Sequence, residues 1–238
     1  MQARYARRVT VDDVGERVSL RHLVDDPDRG PVPTDVVGRL LSFDDEVLLV
    51  IDRSGQLHAI GTAEVVSSRT VPPHPRLPPE PDVGSEDRPV ERDAARVLLL
   101  DSRDRVLLAA HVPHSGRRVW TAPGGGLRPG EEHVAAAQRE LREELGVDLD
   151  VGPWVWSRSV LFTFRGIWLR QHERWYLARG ELDAASAPLD DVAVDEARWW
   201  SLEELRGTDE LLAPEALPDH LADLLAHGPP GEPVDVGR

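Results

Sequence analysis

The chain has 238 residues, of which 40% are hydrophobic and 30% charged, with a formal net charge of −15. That length suits one large domain or two small ones, and the apolar fraction is enough to bury cores. Cysteine is absent, which excludes disulfides and thiolate metal sites; the charge argues against nucleic acid or anionic lipid as a bulk partner; and no run reaches the roughly 18 apolar residues of a membrane span.

The N-terminal MQARYARRVTVDDVG carries arginines with no apolar run behind them. No secretory signal is expected, and with no cysteine a reducing cytoplasm is. Short strands follow: Glu16–Val24, Val36–Phe43, the apolar run Val47–Ile51, Gln56–Ile60 after a Ser54-Gly55 turn, and Ala63–Thr70. This pattern predicts a small all-β barrel over residues 1–71. His22 and His58 are expected to be structural. Between Pro72 and Glu91, seven of twenty positions are proline, so residues 72–93 read as an extended, semi-rigid linker.

Ala95–Leu100 and Arg105–Ala110 flank Asp101–Asp104 as a hairpin. Val119–Ala122 then leads into Pro123-Gly124-Gly125-Gly126, a turn suited to close approach of backbone to a ligand. A helix is predicted from Glu132 to Leu145, stopped by Gly146, with Val134, Ala137, Leu141 and Leu145 as its buried stripe. Trp154–Thr163, Ile167–Leu169, Arg174–Ala178 and Ala197–Trp200 read as strands. Ser201 caps a short helix, and Pro214–Ala226 forms a last one. Residues 94–227 are therefore expected to form an α+β sandwich around a mixed sheet, and residues 228–238 a frayed tail.

The predicted helix carries the chemistry. Glu140, Glu143 and Glu144 fall at i, i+3 and i+4 and crowd one face, where like charges repel unless a cation joins them. Oxygen ligands in such a cluster suit magnesium or manganese, and carbonyls of the glycine turn are available to complete the shell. Glu131 lies at the helix start, where a carboxylate gains from the macrodipole, and Arg139 is placed to brace the acids. An acidic solvent face is the plain alternative for an acid-rich helix. It does not account for the glycine turn, the acid upstream and the arginine arriving together.

Gly125 to Val147 reads G-x5-E-x7-R-E-U-x-E-E-x-G-U, with U aliphatic, and resembles the Nudix box at every specified position. The strand order from Ala95 to Ala226 is similar to the Nudix fold, an α/β/α sandwich around a mixed sheet. The first seventy residues resemble the small barrel found ahead of some actinobacterial acetyltransferases. The likeness implies divalent-metal-dependent hydrolysis of a phosphoanhydride in a nucleoside diphosphate linked to another group. It implies further that Glu140, Glu143 and Glu144 hold Mg2+, with Mn2+ as a substitute, joined by the Gly125 carbonyl. Glu131 then supports the site and Arg139 orients the carboxylates.

On this reading water attacks a phosphorus and Glu143 or Glu144 takes its proton; Glu173, Asp195 and Glu196 are alternatives outside the helix. All 28 basic residues are arginine, so a phosphate clamp must use arginine or backbone N–H, with Arg158, Arg170 and Arg174 as candidates and solvated charge as the alternative for each. Trp154, Trp156, Trp168 and Trp175 are candidates to stack a nucleobase, against the plainer role of packing the sheet. His111 and His114 precede the glycine turn. Regulatory relatives of this fold often lose box acids, and this chain keeps them, which favours an enzyme over a binding module whose barrel recognises a partner. Removal of an RNA cap would call for a basic channel. The motif of coenzyme-A-processing members is missing, and Leu161 and Phe162 stand where ADP-ribose-processing members carry a proline. Both departures tilt toward a nucleoside triphosphate or related small nucleotide. The barrel is expected to bind an unidentified partner, supply a homodimer contact or shade the site.

Overall fold

The computed structural model describes residues 9–26, 29–111, 117–182 and 194–237. The chain separates into two compact units: Met1–Glu91 together with Phe162–Leu169, and Arg92–Leu161 together with Arg170–Arg238. Among the described residues no helix is long and apolar enough to cross a membrane.

The first unit is all-β. Strands β1 (Arg17–Asp26), β2 (Gly30–Phe43), β3 (Val47–Asp52), β4 (Leu57–Gly61) and β5 (Val65–Thr70) form one sheet in the order β4-β3-β2-β1-β5. Neighbouring strands are antiparallel, and bulges between Arg21 and His22 and between Leu40 and Ser42 bend the strands. The apolar run of β3 is explained by burial on both faces. Leu48 and Val50 join Val18, Leu20, Val36, Leu40 and Ile60 on one side. Leu49 and Ile51 join Leu41, Val90 and Leu169 on the other, with Phe162, Phe164 and Ile167 against them. Both histidines of the sheet are structural: His22 is buried, and the His58 ring lies 2.9 Å from Asp52 Oδ2.

The proline-rich stretch is not a free spacer. Three arginines of the sheet pin it: Arg17 Nε donates to Glu80 at 2.8 Å, Arg39 Nη1 to Asp82 at 2.9 Å and Arg53 Nε to the Pro78 carbonyl at 3.0 Å. Composition showed its extended backbone but not these long-range partners.

The second unit contains β6 (Val90–Leu100), β7 (Val106–His111), β8 (Val119–Thr121), β9 (Gly124–Gly126), α1 (His133–Leu145), β10 (Trp154–Phe164), β11 (Ile167–Arg179), β12 (Val194–Trp200), α2 (Leu202–Gly207), β13 (Leu211–Ala213), α3 (Leu217–His227) and β14 (Val234–Asp235). The far end of the β10–β11 hairpin belongs to the first unit. The mixed sheet runs β13-β8-β7-β6-β11-β10-β14, with β12 on β7 and β9 on β6. Alternation along β6 divides the core. Val97 and Leu99 face α1 with Ala136, Ala137, Leu141 and Leu145. Leu98 and Leu100 join Trp120, Trp156, Trp175, Trp200 and the Leu217 and Leu221 face of α3. The result is helix, sheet, helix, each sheet face burying one period-2 set of side chains.

Two expectations change. Val134 is 42% exposed, and Ala136, fully buried one residue before Ala137, joins the buried stripe in its place. The last residues are not frayed: β14 pairs in parallel with Trp156 and Ser157, and Val236 is buried. Gly146 ends α1 at φ +67°, its N–H donating to the Arg142 carbonyl, as a left-handed stop requires.

The β6–β7 hairpin is built around Asp101, whose buried carboxylate accepts the N–H groups of Arg103 and Arg105 at 2.9 and 2.8 Å and the Arg105 Nε at 2.7 Å. Burial pushes this carboxyl up, but the Arg105 donors and the Arg103 N–H outweigh it and leave it below the usual carboxylate range. A folded value below the unfolded one contributes stability that is complete above the unfolded pKa and lost as pH falls through the folded one. Asp101→Asn is therefore expected to cost about 2 kcal/mol at neutral pH. In urea unfolding followed from pH 7 to pH 3, the variant should lose less stability on acidification than the parent. Parallel pH curves would contradict this role.

Candidate active site

The glycine turn sits where β6 and β9 meet, with Ala95 opposite Gly125 and Arg96 opposite Gly124. Gly124 has φ +140°, and a Cβ there would fall 2.1 Å from the Ala95 carbonyl oxygen, so only glycine fits. A Cβ on Gly125 would fall 2.5 Å from Glu140 Oε1. Backbone and carboxylate are thus in direct apposition. Glu144 fastens the other side of the turn, its Oε2 accepting the Gly124 N–H at 3.0 Å.

Helix periodicity explains how acids reach this place. Glu140 and Glu144 fall in the same row as Ala136, at the edge of the buried face rather than on a solvent face. Glu144 is only 3% exposed, whereas the side chain of Glu143 is 46% exposed. Burial pushes the Glu140 carboxyl above its ordinary range, and the guanidinium of Arg139 only partly offsets this.

Arg139 is the hub. Its Nε donates to Glu131 at 2.8 Å, its Nη1 to Glu140 at 2.7 Å and Glu143 at 2.8 Å, and its Nη2 to the Gly126 carbonyl at 3.1 Å. Burial lowers its pKa, and its three acidic partners together raise it well above the usual guanidinium value. Arg128 adds a second tie, its N–H donating to Glu131 and its Nη2 to Glu143, each at 2.8 Å. Glu131 is held by these arginines, outside the helix proper, which begins at His133. Among the described residues no three acidic or histidine side chains are gathered as a closed cation cage. The donor set is nonetheless all oxygen, and the missing Cβ of Gly125 leaves its backbone against Glu140. That chemistry fits a hard divalent cation.

A second charged group adjoins the turn. Arg96 Nη1 donates to the Gly124 carbonyl at 2.8 Å and the Ala122 carbonyl at 3.1 Å, and its Nε reaches Glu173 at 3.3 Å. Glu173 also accepts Gln171 Nε2 at 2.8 Å and the Trp175 indole N–H at 2.9 Å, with Arg158 Nη1 at 3.5 Å. Its side chain is 1% exposed. Burial pushes its carboxyl up, but Arg96 and Arg158 outweigh this and hold it low. Those partners make Glu173 a buried counter-ion to Arg96 and Arg158.

Arg158, Glu173 and Arg174 line a cavity of about 310 Å³, together with Asp93, His133 at the start of α1, and Trp154. The Arg174 guanidinium lies 4.4 Å from the centre of the Trp154 ring. Burial and the neighbouring Arg174 lower the pKa of His133, favouring its neutral ring. Of the four tryptophans considered for stacking, Trp154 alone lines this cavity, while Trp156 and Trp175 are core. Arg170 is not among its lining residues, and Glu196 pairs with Arg118 at 2.9 Å. His111 is half-buried at the end of β7; His114 and the side chain of Asp195 lie outside the described residues.

Arg96, Asp93, Arg128 and His133 were not anticipated. Arg96 left a signal: it is the one charge in the run Ala94–Leu100, and a charged side chain inside a buried strand needs a partner. Its partner, Glu173, lies 77 residues away, beyond any local pattern.

A family model described as the NUDIX domain matches residues 90–222, and one described as the Rv0428c N-terminal Sm-like domain matches residues 12–69. An RNA pyrophosphohydrolase of Erythrobacter litoralis is 29% identical over 128 residues, 48% of this chain and 78% of that protein. One from Rickettsia conorii is 27% identical over 129 residues, 48% of this chain and 77% of that protein. Among solved structures, a MutT protein from Methanosarcina mazei aligns with a TM-score of 0.43 and 23% identity, over 60% of this chain and 97% of that one.

Lysine at position 139 would keep the charge but cannot reach Glu131, Glu140, Glu143 and Gly126 together. Arg139→Lys is expected to lower the unfolding free energy by about 2 kcal/mol. Urea denaturation followed by circular dichroism measures this; a variant as stable as the parent would show that the hub is not needed.

Proposed function

This chain belongs to the Nudix family and is a pyrophosphohydrolase, and we propose that it cleaves a phosphoanhydride in a small nucleotide, a nucleoside triphosphate or a related nucleoside diphosphate derivative, with Mg2+ or Mn2+. The observation that carries this reading is the apposition of Glu140 to Gly125 and of Glu144 to the Gly124 N–H, with Arg139 spanning Glu131, Glu140 and Glu143.

Glu140, Glu143 and Glu144, with the Gly125 carbonyl, are the groups that would hold the cation. When bound, such a cation supplies positive charge against the phosphate oxygens and Lewis acidity toward water. The side chains divide the remaining work. Glu144 spends one oxygen on the Gly124 N–H and keeps turn and helix in register. Glu140 is fixed between Gly125 and Arg139, so its carboxylate is oriented before substrate arrives. Glu143, paired to Arg128 and Arg139, is the acid open to solvent, where an attacking water arrives. Of the two acids considered, Glu143 is therefore the better acceptor for the proton of the attacking water. Arg139 compensates the acids until a cation does.

The relatives named RNA pyrophosphohydrolase support a second substrate, RNA bearing a 5′ phosphoanhydride. The net charge of −15 disfavours it, because a long polyanion meets that field along its length while a mononucleotide meets it only at the site. The amino-terminal sheet is proposed to recognise a partner or to form a dimer contact.

The test is a screen of nucleoside triphosphates, nucleoside diphosphate derivatives and 5′-triphosphorylated RNA, with Mg2+ or Mn2+, reading released phosphate and pyrophosphate. Turnover of at least one mononucleotide is expected. Glu143→Gln and Glu144→Gln should each lower it by roughly a hundredfold or more, with circular dichroism unchanged. Near-parental turnover in both variants would remove these acids from the chemistry.

A further inference from the structure

The family match ends at residue 222, yet the chain continues past α3 into a segment that returns to the sheet. Chain ends usually fray unless tied down. This one is tied twice, by the parallel pairing of β14 with Trp156 and Ser157 and by the Val236 N–H donating to the Ser157 carbonyl at 2.9 Å. The anchored segment reaches the cavity beside the candidate active site, where Pro233 and Asp235 supply part of the wall.

That cavity holds an incomplete hydrogen-bond set. The Arg158 side chain is 10% exposed, and among the described residues its one acidic contact, to Glu173, is long at 3.5 Å. Arg158 lines the cavity with that weak pairing, so its guanidinium keeps donors for an acceptor brought by a ligand. Arg174 and Trp154 offer a flat stacked surface next to it. Asp93 and Asp235 are exposed acids on the same cavity. They disfavour a further phosphate there and accept N–H and O–H donors instead. Asp235 uses Oδ1 on the Gly237 N–H at 3.0 Å, which sets its carboxylate and leaves Oδ2 for a ligand.

We propose that this cavity receives the nucleoside part of the substrate, and that β14 makes Asp235 a specificity-determining residue. The Arg158 guanidinium meets a carbonyl or ring-nitrogen acceptor, Asp235 accepts an amino or hydroxyl donor, and the phosphates extend toward a cation on the box acids. A volume of about 310 Å³ is at the small end of ligand pockets and suits one nucleoside. The assignment rests on the nucleotide reading above but not on turnover, so it can be tested by binding alone.

The experiment is calorimetric titration of the full-length chain, without metal, with AMP, GMP, CMP and UMP in turn. At least one should bind. Asp235→Asn, which keeps an oxygen for the Gly237 turn, should weaken that nucleotide by about tenfold, the usual worth of one hydrogen bond to a charged group, with no change in Tm. A chain ending at Pro229 should weaken it at least as much; if that chain misfolds, Asp235→Asn decides alone. Parental affinity in Asp235→Asn, or no binding of any of the four, overturns the proposal. Loss of the proposal with anhydride cleavage intact leaves the enzymatic reading standing. Nucleotide binding without any cleavage does the reverse.

Discussion

One guanidinium gathers acceptors from three stretches of chain: Glu131 before the helix, Glu140 and Glu143 on it, and the Gly126 carbonyl on the turn. Without that charge, acids at helical spacing would push apart and buried Glu140 would lose its hydrogen-bonded counter-ion. The glycines allow the arrangement as much as the arginine holds it. A side chain at Gly125 would occupy the place of the Glu140 carboxylate, and one at Gly124 would strike the neighbouring strand. Charge compensation and close backbone approach are therefore one constraint.

The same economy extends away from the helix. Glu144 holds the N–H of Gly124 and Arg96 holds its carbonyl, so the turn is gripped on both polar sides. Arg96 passes its charge on to Glu173, and Glu173 to Arg158 at the cavity. Two arginines around one buried acid leave a net positive charge beside the box. In the proposed complex a cation on the acids would hold the phosphates at one end, and Arg158 would meet acceptors at the other.

Much of this was legible in sequence, for identifiable reasons. Elements with a clear period were found, because alternation on β6 and i, i+4 spacing on α1 arise from backbone geometry alone. The box was found because its acids, glycines and arginine are local in sequence. What escaped was non-local. The arginines that pin the proline-rich stretch, and the 77-residue link from Arg96 to Glu173, leave only an unexplained charge at each end. Val134 was misassigned because three- and four-residue spacing cannot say where a helix first meets its sheet. The return of β14 escaped because so short a strand, following Gly-Pro-Pro-Gly-Glu-Pro, carries no periodic signal. The setting of Glu173 is only half legible: Gln171 and Trp175 share its face of β11 by strand alternation, whereas Arg96 and Arg158 come from other strands.

We propose that these box acids form a divalent-cation site with Arg139, joined by Arg128, as its resting counter-charge. Calorimetric titration of Mn2+ into the purified chain tests it most directly, with Glu140→Gln run alongside. Saturable uptake in the parent, lost or strongly weakened in the variant, is the expected result. A flat titration in the parent, or equal uptake in both proteins, would contradict the account.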